Sequence, residues 1–211
     1  VPVVVYFHGG GLMLGDKSLG DVVAERLLTQ GVGLVSANYR LSPGVAHPAH
    51  VKDAASATAW VHRNISQYGG DPKQIYVSGH SAGAYLATLL VLDPQHLAKH
   101  QITLADIRGA IPISPFLYVE ETARERSKSV WGKDPLGWRA ASVTPHIAPG
   151  KPPILLIYAD GDDQWRRAQN KKFARELISV GNNNVKAIEL LNRDHLTLIS
   201  EINADDDRIG S

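Results

Sequence analysis

The pentapeptide Gly79-His80-Ser81-Ala82-Gly83 follows a short apolar run and opens a small-residue stretch of helical composition that starts at Ala82. In that setting a G-x-S-x-G turn lifts the serine hydroxyl above a sheet and aims a helix N-terminus at whatever reacts there. Glycines two residues to either side let neighbouring backbone approach where a Cβ would clash. The chemistry predicted is nucleophilic attack by Ser81, and the competing reading is an ordinary glycine-rich turn. A second motif argues against that competitor. His8-Gly9-Gly10-Gly11 directly follows another strand-like run, and its three glycines leave N–H groups unshielded, able to face a developing oxyanion. Gly10 and Gly11, with the N–H after the nucleophile at Ala82, are the candidates for that hole. A phosphate cradle is the other use of such a loop, but the lysine of a P-loop is missing at the required spacing.

A nucleophilic serine needs a base and an orienter, both later in the chain if the order is serine, acid, histidine. Of nine histidines only His195 lies in a short loop beyond the last predicted strand, within Asn192-Arg193-Asp194-His195-Leu196. His80 reads as a variable position of the elbow and His8 as a brace of its own loop. His47, His50, His62, His96, His100 and His146 read as loop or helix-surface residues. For the acid, Tyr158-Ala159-Asp160-Gly161-Asp162-Asp163 offers three carboxylates after the penultimate strand. Asp162 is favoured, since it stands past the glycine turn and before the helix beginning near Gln164. Asp163 stays open as the alternative, its ordinary role being an N-cap, and Asp160 reads as a turn former.

These side chains need a frame. Residues 3–7, 32–38, 75–78, 107–113, 154–159 and 185–191 read as strands, and 21–30, 50–68, 82–92 and 164–180 as helices. That alternation predicts an α/β fold, a mostly parallel central sheet with helices on both faces. Residues 114–151, punctuated by Pro115, Pro135, Pro145 and Pro149 and carrying a charged cluster at 120–128, read as a small cap-like excursion within a single domain spanning 1–211. Val1 falls inside a strand-like run, so further N-terminal strands and a closing C-terminal helix are expected outside this stretch of chain.

With 211 residues, 44% of them apolar, the chain can bury one sizeable core. A net charge of +1 without a basic stripe excludes a nucleic-acid partner, and the absence of cysteine removes thiol catalysis, disulfides and cysteine metal sites. The longest apolar stretches fall far short of the roughly 20 residues that span a bilayer. The expected protein is soluble, with the cytoplasm as the default compartment and no oligomeric state indicated, and its partner is a small molecule. Leu12 beside the glycine loop and Phe116 at the start of the excursion are candidates for an apolar substrate wall, core packing being the competing use.

Together, the HGGG loop, Asn38-Tyr39-Arg40-Leu41, His47-Pro48, Tyr68-Gly69-Gly70-Asp71-Pro72, the GHSAG elbow and Asp194-His195 resemble the carboxylesterase families of the α/β-hydrolase fold over nearly the whole chain. Gly15-Asp16-Lys17, the histidine of GHSAG, and Arg166-Arg167 with Gln169 are similar to the branch near feruloyl esterases and kynurenine formamidases. The hormone-sensitive-lipase-like branch more often has an acidic residue before the serine and Asp-Pro-Leu around its acid. The resemblance implies hydrolysis of small carboxylic esters through an acyl-enzyme, with no metal or organic cofactor, and structural pairing of Arg40 with Asp53. An arylformamidase-like amidase on the same residues is the alternative, although Leu12 stands where such members usually carry an aromatic. A non-catalytic binding protein of the same fold would have lost a triad member, and none is lost.

Overall fold

In the computed structural model, which describes residues 1–125 and 128–203, the β-branched runs align into one six-stranded sheet. Its strands are β1 (Val3–Phe7), β2 (Gly33–Ala37), β3 (Ile75–His80), β4 (Gly109–Ile113), β5 (Ile154–Ala159) and β6 (Val185–Leu190). They lie in the order β2-β1-β3-β4-β5-β6, and every neighbouring pair is parallel. Parallel neighbours cannot be joined by tight turns, so the chain crosses over between them, mostly through helices. All five residues of β1 are buried, as a strand covered on both faces requires.

The two faces carry different helices. Val3, Val5 and Phe7 join the main core with α2 (Ala49–Asn64), α3 (Ala82–Leu92) and the Gln164–Ser179 helix. Tyr6, one step out of phase, faces the other way onto Val23 of α1 (Asp21–Leu28) and Ile202. Ile113, Ile157 and Leu190 on that side meet Leu198 of the one-turn helix Thr197–Ser200. The expected helix over 50–68 divides: α2 tightens into a 3-10 turn, Ile65–Tyr68, and stops at Gly69, whose φ of 82° suits a residue without Cβ.

Helix α3 is buried at all eleven positions and apolar all round, the pattern of a helix enclosed in a core. Gly83 lets its first turn lie directly on β1, because a Cβ there would collide with the carbonyl of Phe7. Residues 114–151 leave β4 and return to β5 through the short helices Val119–Thr122, Lys128–Trp131 and Pro135–Ala141. Asp134 caps the last of these by accepting from the N–H groups of Leu136 and Gly137. Leu117, Tyr118, Val119, Val130 and Trp131 of this excursion belong to the same core as α3. Residues 126–127 of the charged cluster and 204–211 of the expected domain lie outside the described residues. Among the described residues no helix is long and apolar enough to cross a membrane.

Candidate active site

Ser81 joins the end of β3 to the start of α3 with φ 54° and ψ −110°, a conformation that costs a non-glycine residue and persists only when its surroundings impose it. The imposition is visible. The Ser81 N–H donates to the carbonyl of Ile113 at 2.8 Å, and its own carbonyl accepts from Tyr85 at 3.1 Å. A Cβ on Gly79 would come within 2.5 Å of the Phe7 carbonyl and the Gly83 backbone, so both glycines of the pentapeptide are places where chains touch.

Across the end of the sheet, His195 Nε2 lies 2.9 Å from Ser81 Oγ, and His195 Nδ1 lies 2.7 Å from Asp162 Oδ1. The imidazole is about one-third exposed, whereas the carboxylate is fully buried. Five contacts fix the histidine loop. Asp194 Oδ1 accepts from the N–H groups of Leu196 and Thr197 at 2.8 Å each. Asp160 Oδ1 accepts from the Arg193 N–H at 3.2 Å, and the Gly161 N–H donates to the Arg193 carbonyl at 2.9 Å. His80 Nε2 donates to the carbonyl of His195 at 2.7 Å. A carbonyl only accepts, so Nε2 of His80 carries the proton. Burial, with His195 close by, pushes its pKa down to about 3, which keeps the ring neutral.

Burial alone would raise the pKa of Asp162. Hydrogen bonds from His195, from Ser114 Oγ at 2.6 Å and from the Ala159 N–H at 3.0 Å outweigh it and hold the carboxyl below the ordinary carboxylate range. Asp163 stands at the N-cap of the following helix, yet its side chain makes no capping bond there.

The glycine loop closes the site. His8 donates through Nδ1 to the carbonyl of Gly9 at 2.7 Å and stacks on Tyr39 with ring centres 4.4 Å apart, while Tyr39 Oη donates to the carbonyl of His8. Gly10 has φ 111°, and a Cβ there would strike the carbonyl of Leu14. Gly9, Gly10 and Gly11 line a cleft of about 710 Å³ together with Ser81 and His195, and Leu19, Val22, Leu196 and Ile199 form its apolar wall.

Residues 4–198 match the family model described as alpha/beta hydrolase fold. The chain belongs to the α/β-hydrolase fold family. Esterase LipQ of Mycobacterium tuberculosis is 31% identical to this α/β-hydrolase chain, over 92% of it and 50% of LipQ. Isoprenylcysteine alpha-carbonyl methylesterase ICME of Arabidopsis thaliana is 29% identical, over 85% of this chain and 47% of its own length. The chain thus spans about half the length of the curated relatives it matches. The propionate-bound structure of Thermogutta terrifontis esterase 2 superposes with a TM-score of 0.77 at 28% identity, covering 93% of this chain and 74% of that one.

In this α/β hydrolase the structure brings Ser81, His195 and Asp162 together, and it sets Gly10, Gly11 and the N-terminus of α3 at Ala82 beside them. It places the two expected wall residues elsewhere. Leu12, with a φ of 67°, is fully buried in the main core, and Phe116 stacks on Tyr85 at 4.7 Å inside the same core. Neither lines the cleft. His50 and His96 are buried, not on the helix surface, and Ser42 Oγ lies 3.1 Å from His50 Nε2. Arg40 and Asp53 pair through two contacts of 2.8 Å, away from the cleft.

Sequence reasoning missed the support behind Asp162. Arg166 Nη1 donates to the carbonyl of Ser114 at 2.9 Å, Asn170 Nδ2 to that of Pro115 at 3.0 Å, and Gln169 Oε1 accepts from Leu117 N–H at 2.9 Å. The signal was the spacing: Arg166, Gln169, Asn170 and Phe173 share one helix face, so three polar residues stand where a core-facing pattern asks for apolar ones.

Proposed function

We propose that this chain hydrolyses small carboxylic esters, with Ser81 as nucleophile, His195 as general base and Asp162 as the group that orients the imidazole. The observation that carries this reading is the unbroken run of hydrogen bonds from Asp162 Oδ1 through His195 to Ser81 Oγ, ending at the cleft. His195 Nε2 takes the Ser81 proton as Oγ attacks the ester carbonyl, and Asp162, kept ionised, stabilises the imidazolium that forms. The oxyanion rests against the N–H groups of Gly10, Gly11 and Ala82. The imidazolium returns its proton to the leaving alcohol, and water, activated by His195, then releases the acid from Ser81. Ser114 does not compete as nucleophile, because it is fully buried on the Nδ1 side of the ring.

The names of the relatives support ester chemistry, and Thermogutta terrifontis esterase 2, solved with propionate and with butyrate bound, supports short acyl groups. The test is a rate series on aryl esters of rising acyl length with N-formylkynurenine as the amide arm, together with labelling by an aryl phosphonate and mass mapping of the labelled peptide. The label is expected on Ser81, and Ser81→Ala should lose about 10³-fold or more in rate. A label elsewhere, or preferred turnover of the formamide, overturns the assignment.

A further inference from the structure

We propose that Ser114 is a positioning residue of this site, its hydroxyl holding Oδ2 of Asp162 so that Oδ1 remains for His195. The inference rests on the reading of Ser81, His195 and Asp162 given above. Ser114 is the first residue after β4 and has no exposure to solvent. Its φ of 51° lies in the left-handed region that residues with a Cβ avoid. The backbone is pinned from both sides: the Ser114 N–H donates to the Ile157 carbonyl at 2.7 Å, and its carbonyl accepts from the buried Arg166 at 2.9 Å. Held this way, Oγ sits 2.6 Å from Asp162 Oδ2 and 3.0 Å from His195 Nδ1.

Proton counting assigns the contacts. The Nδ1 proton of His195 goes to Asp162 Oδ1 at 2.7 Å. The single hydroxyl proton of Ser114 therefore goes to Oδ2, which also accepts from the Ala159 N–H at 3.0 Å. Both lone-pair directions of Oδ2 are occupied, and the carboxylate cannot rotate to offer that oxygen to the imidazole. Arg166 Nε, 3.6 Å from Oδ1, waits as a competing partner for a carboxylate that loosens. Without the hydroxyl, Asp162 turns toward the guanidinium, and His195 spends less time aimed at Ser81.

The test compares Ser114→Ala with Ser114→Gly in the full chain. Both remove the hydroxyl, but glycine also relieves the positive φ, so the pair separates the hydroxyl from the backbone. Both variants are expected to lose kcat by about 10- to 100-fold, the size of one hydrogen bond to a charged group, with KM little changed. A second readout needs no turnover: the far-downfield proton resonance of His195 Nδ1–H should shift or broaden in both variants. If the unmodified chain turns over no ester, the functional reading fails, while the resonance still reports whether Ser114 sets the His195–Asp162 contact. Wild-type kcat in either variant, or an Nδ1–H resonance unmoved by loss of the hydroxyl, overturns the proposal.

Discussion

His80 donates its Nε2–H to the carbonyl of His195 at 2.7 Å, so the residue preceding Ser81 holds the backbone of the histidine that faces Ser81. The two rings lie 4.6 Å apart. His80→Ala removes the donor and is expected to lower kcat/KM by about 3- to 10-fold, the size of a neutral hydrogen bond. His80→Gln retains an N–H at similar reach and should lose less. Steady-state rates on an aryl acetate decide this, and equal losses in the two variants would show that the bond does not position the loop.

Burial, with His195 close by, pushes the pKa of His80 down to about 3, and burial with His50 and His96 close by pushes that of His47 to about 4. Both folded values lie below the 6.5 of an unfolded histidine. The unfolded chain therefore binds protons that the folded one refuses, and stability is lost as pH falls from about 6.5 toward 4. Each such group contributes a slope of up to about 1.4 kcal/mol per pH unit. The pKa of Asp162 is lowered as well, so its contribution is also lost on acidification, but only as pH falls below the ordinary carboxylate range. Urea unfolding between pH 7 and 5 should show falling stability, with a shallower slope in His80→Gln. A flat profile contradicts the prediction.

Asp162→Asn should lose about 10³-fold or more in kcat, because the amide cannot accept from Nδ1–H in both orientations and no longer stabilises the imidazolium. Asp163→Asn should leave rate and stability near wild type, since the Asp163 side chain makes no capping bond. Parallel rate and thermal unfolding measurements on the two variants separate them, and a reversal moves the acid to Asp163.

Gly83→Ala and Gly11→Ala should fail differently. A Cβ at Gly83 would collide with the carbonyl of Phe7, so α3 must lift from β1, at a cost on the order of 3 kcal/mol or more. Gly11 has no atom within 4 Å of such a Cβ, but its φ is 64°. That substitution should cost about 1–2 kcal/mol and chiefly lower the rate. Soluble yield and thermal unfolding report the first effect, and kcat the second.

Acyl preference should rise and then fall. Each methylene that finds the apolar wall of Leu19, Val22 and Ile199 contributes about 0.8 kcal/mol, and one left in water contributes nothing. Acetyl to butyryl aryl esters are expected to react best, with acyl chains of about ten carbons or more poor once the cleft of about 710 Å³ is filled. A kcat/KM still climbing at dodecanoyl would reject this picture.

Ser81 at its turn and the flanking glycines were legible in the sequence because the pentapeptide is local. The motif lies within Gly79 to Gly83, where glycine is the residue that fits two close backbone approaches. The sheet was legible for a similar reason, as strand and helix periods are short-range and each predicted strand recurs in β1 to β6. His195 was legible by its place after the last strand. Choosing between Asp162 and Asp163 was a tertiary matter: adjacent side chains leave a turn in different directions, and the turn is set where Gly161 meets the Arg193 carbonyl. Leu12 and Phe116 were misplaced because an apolar side chain serves a core or a cleft equally well in sequence, and only burial separates the two. Ser114 and His80 carry no local mark of their roles. Ser114 reaches His195 across 81 positions and His80 across 115, so those contacts exist only once the parallel sheet has brought the ends of β3, β4, β5 and β6 to one edge.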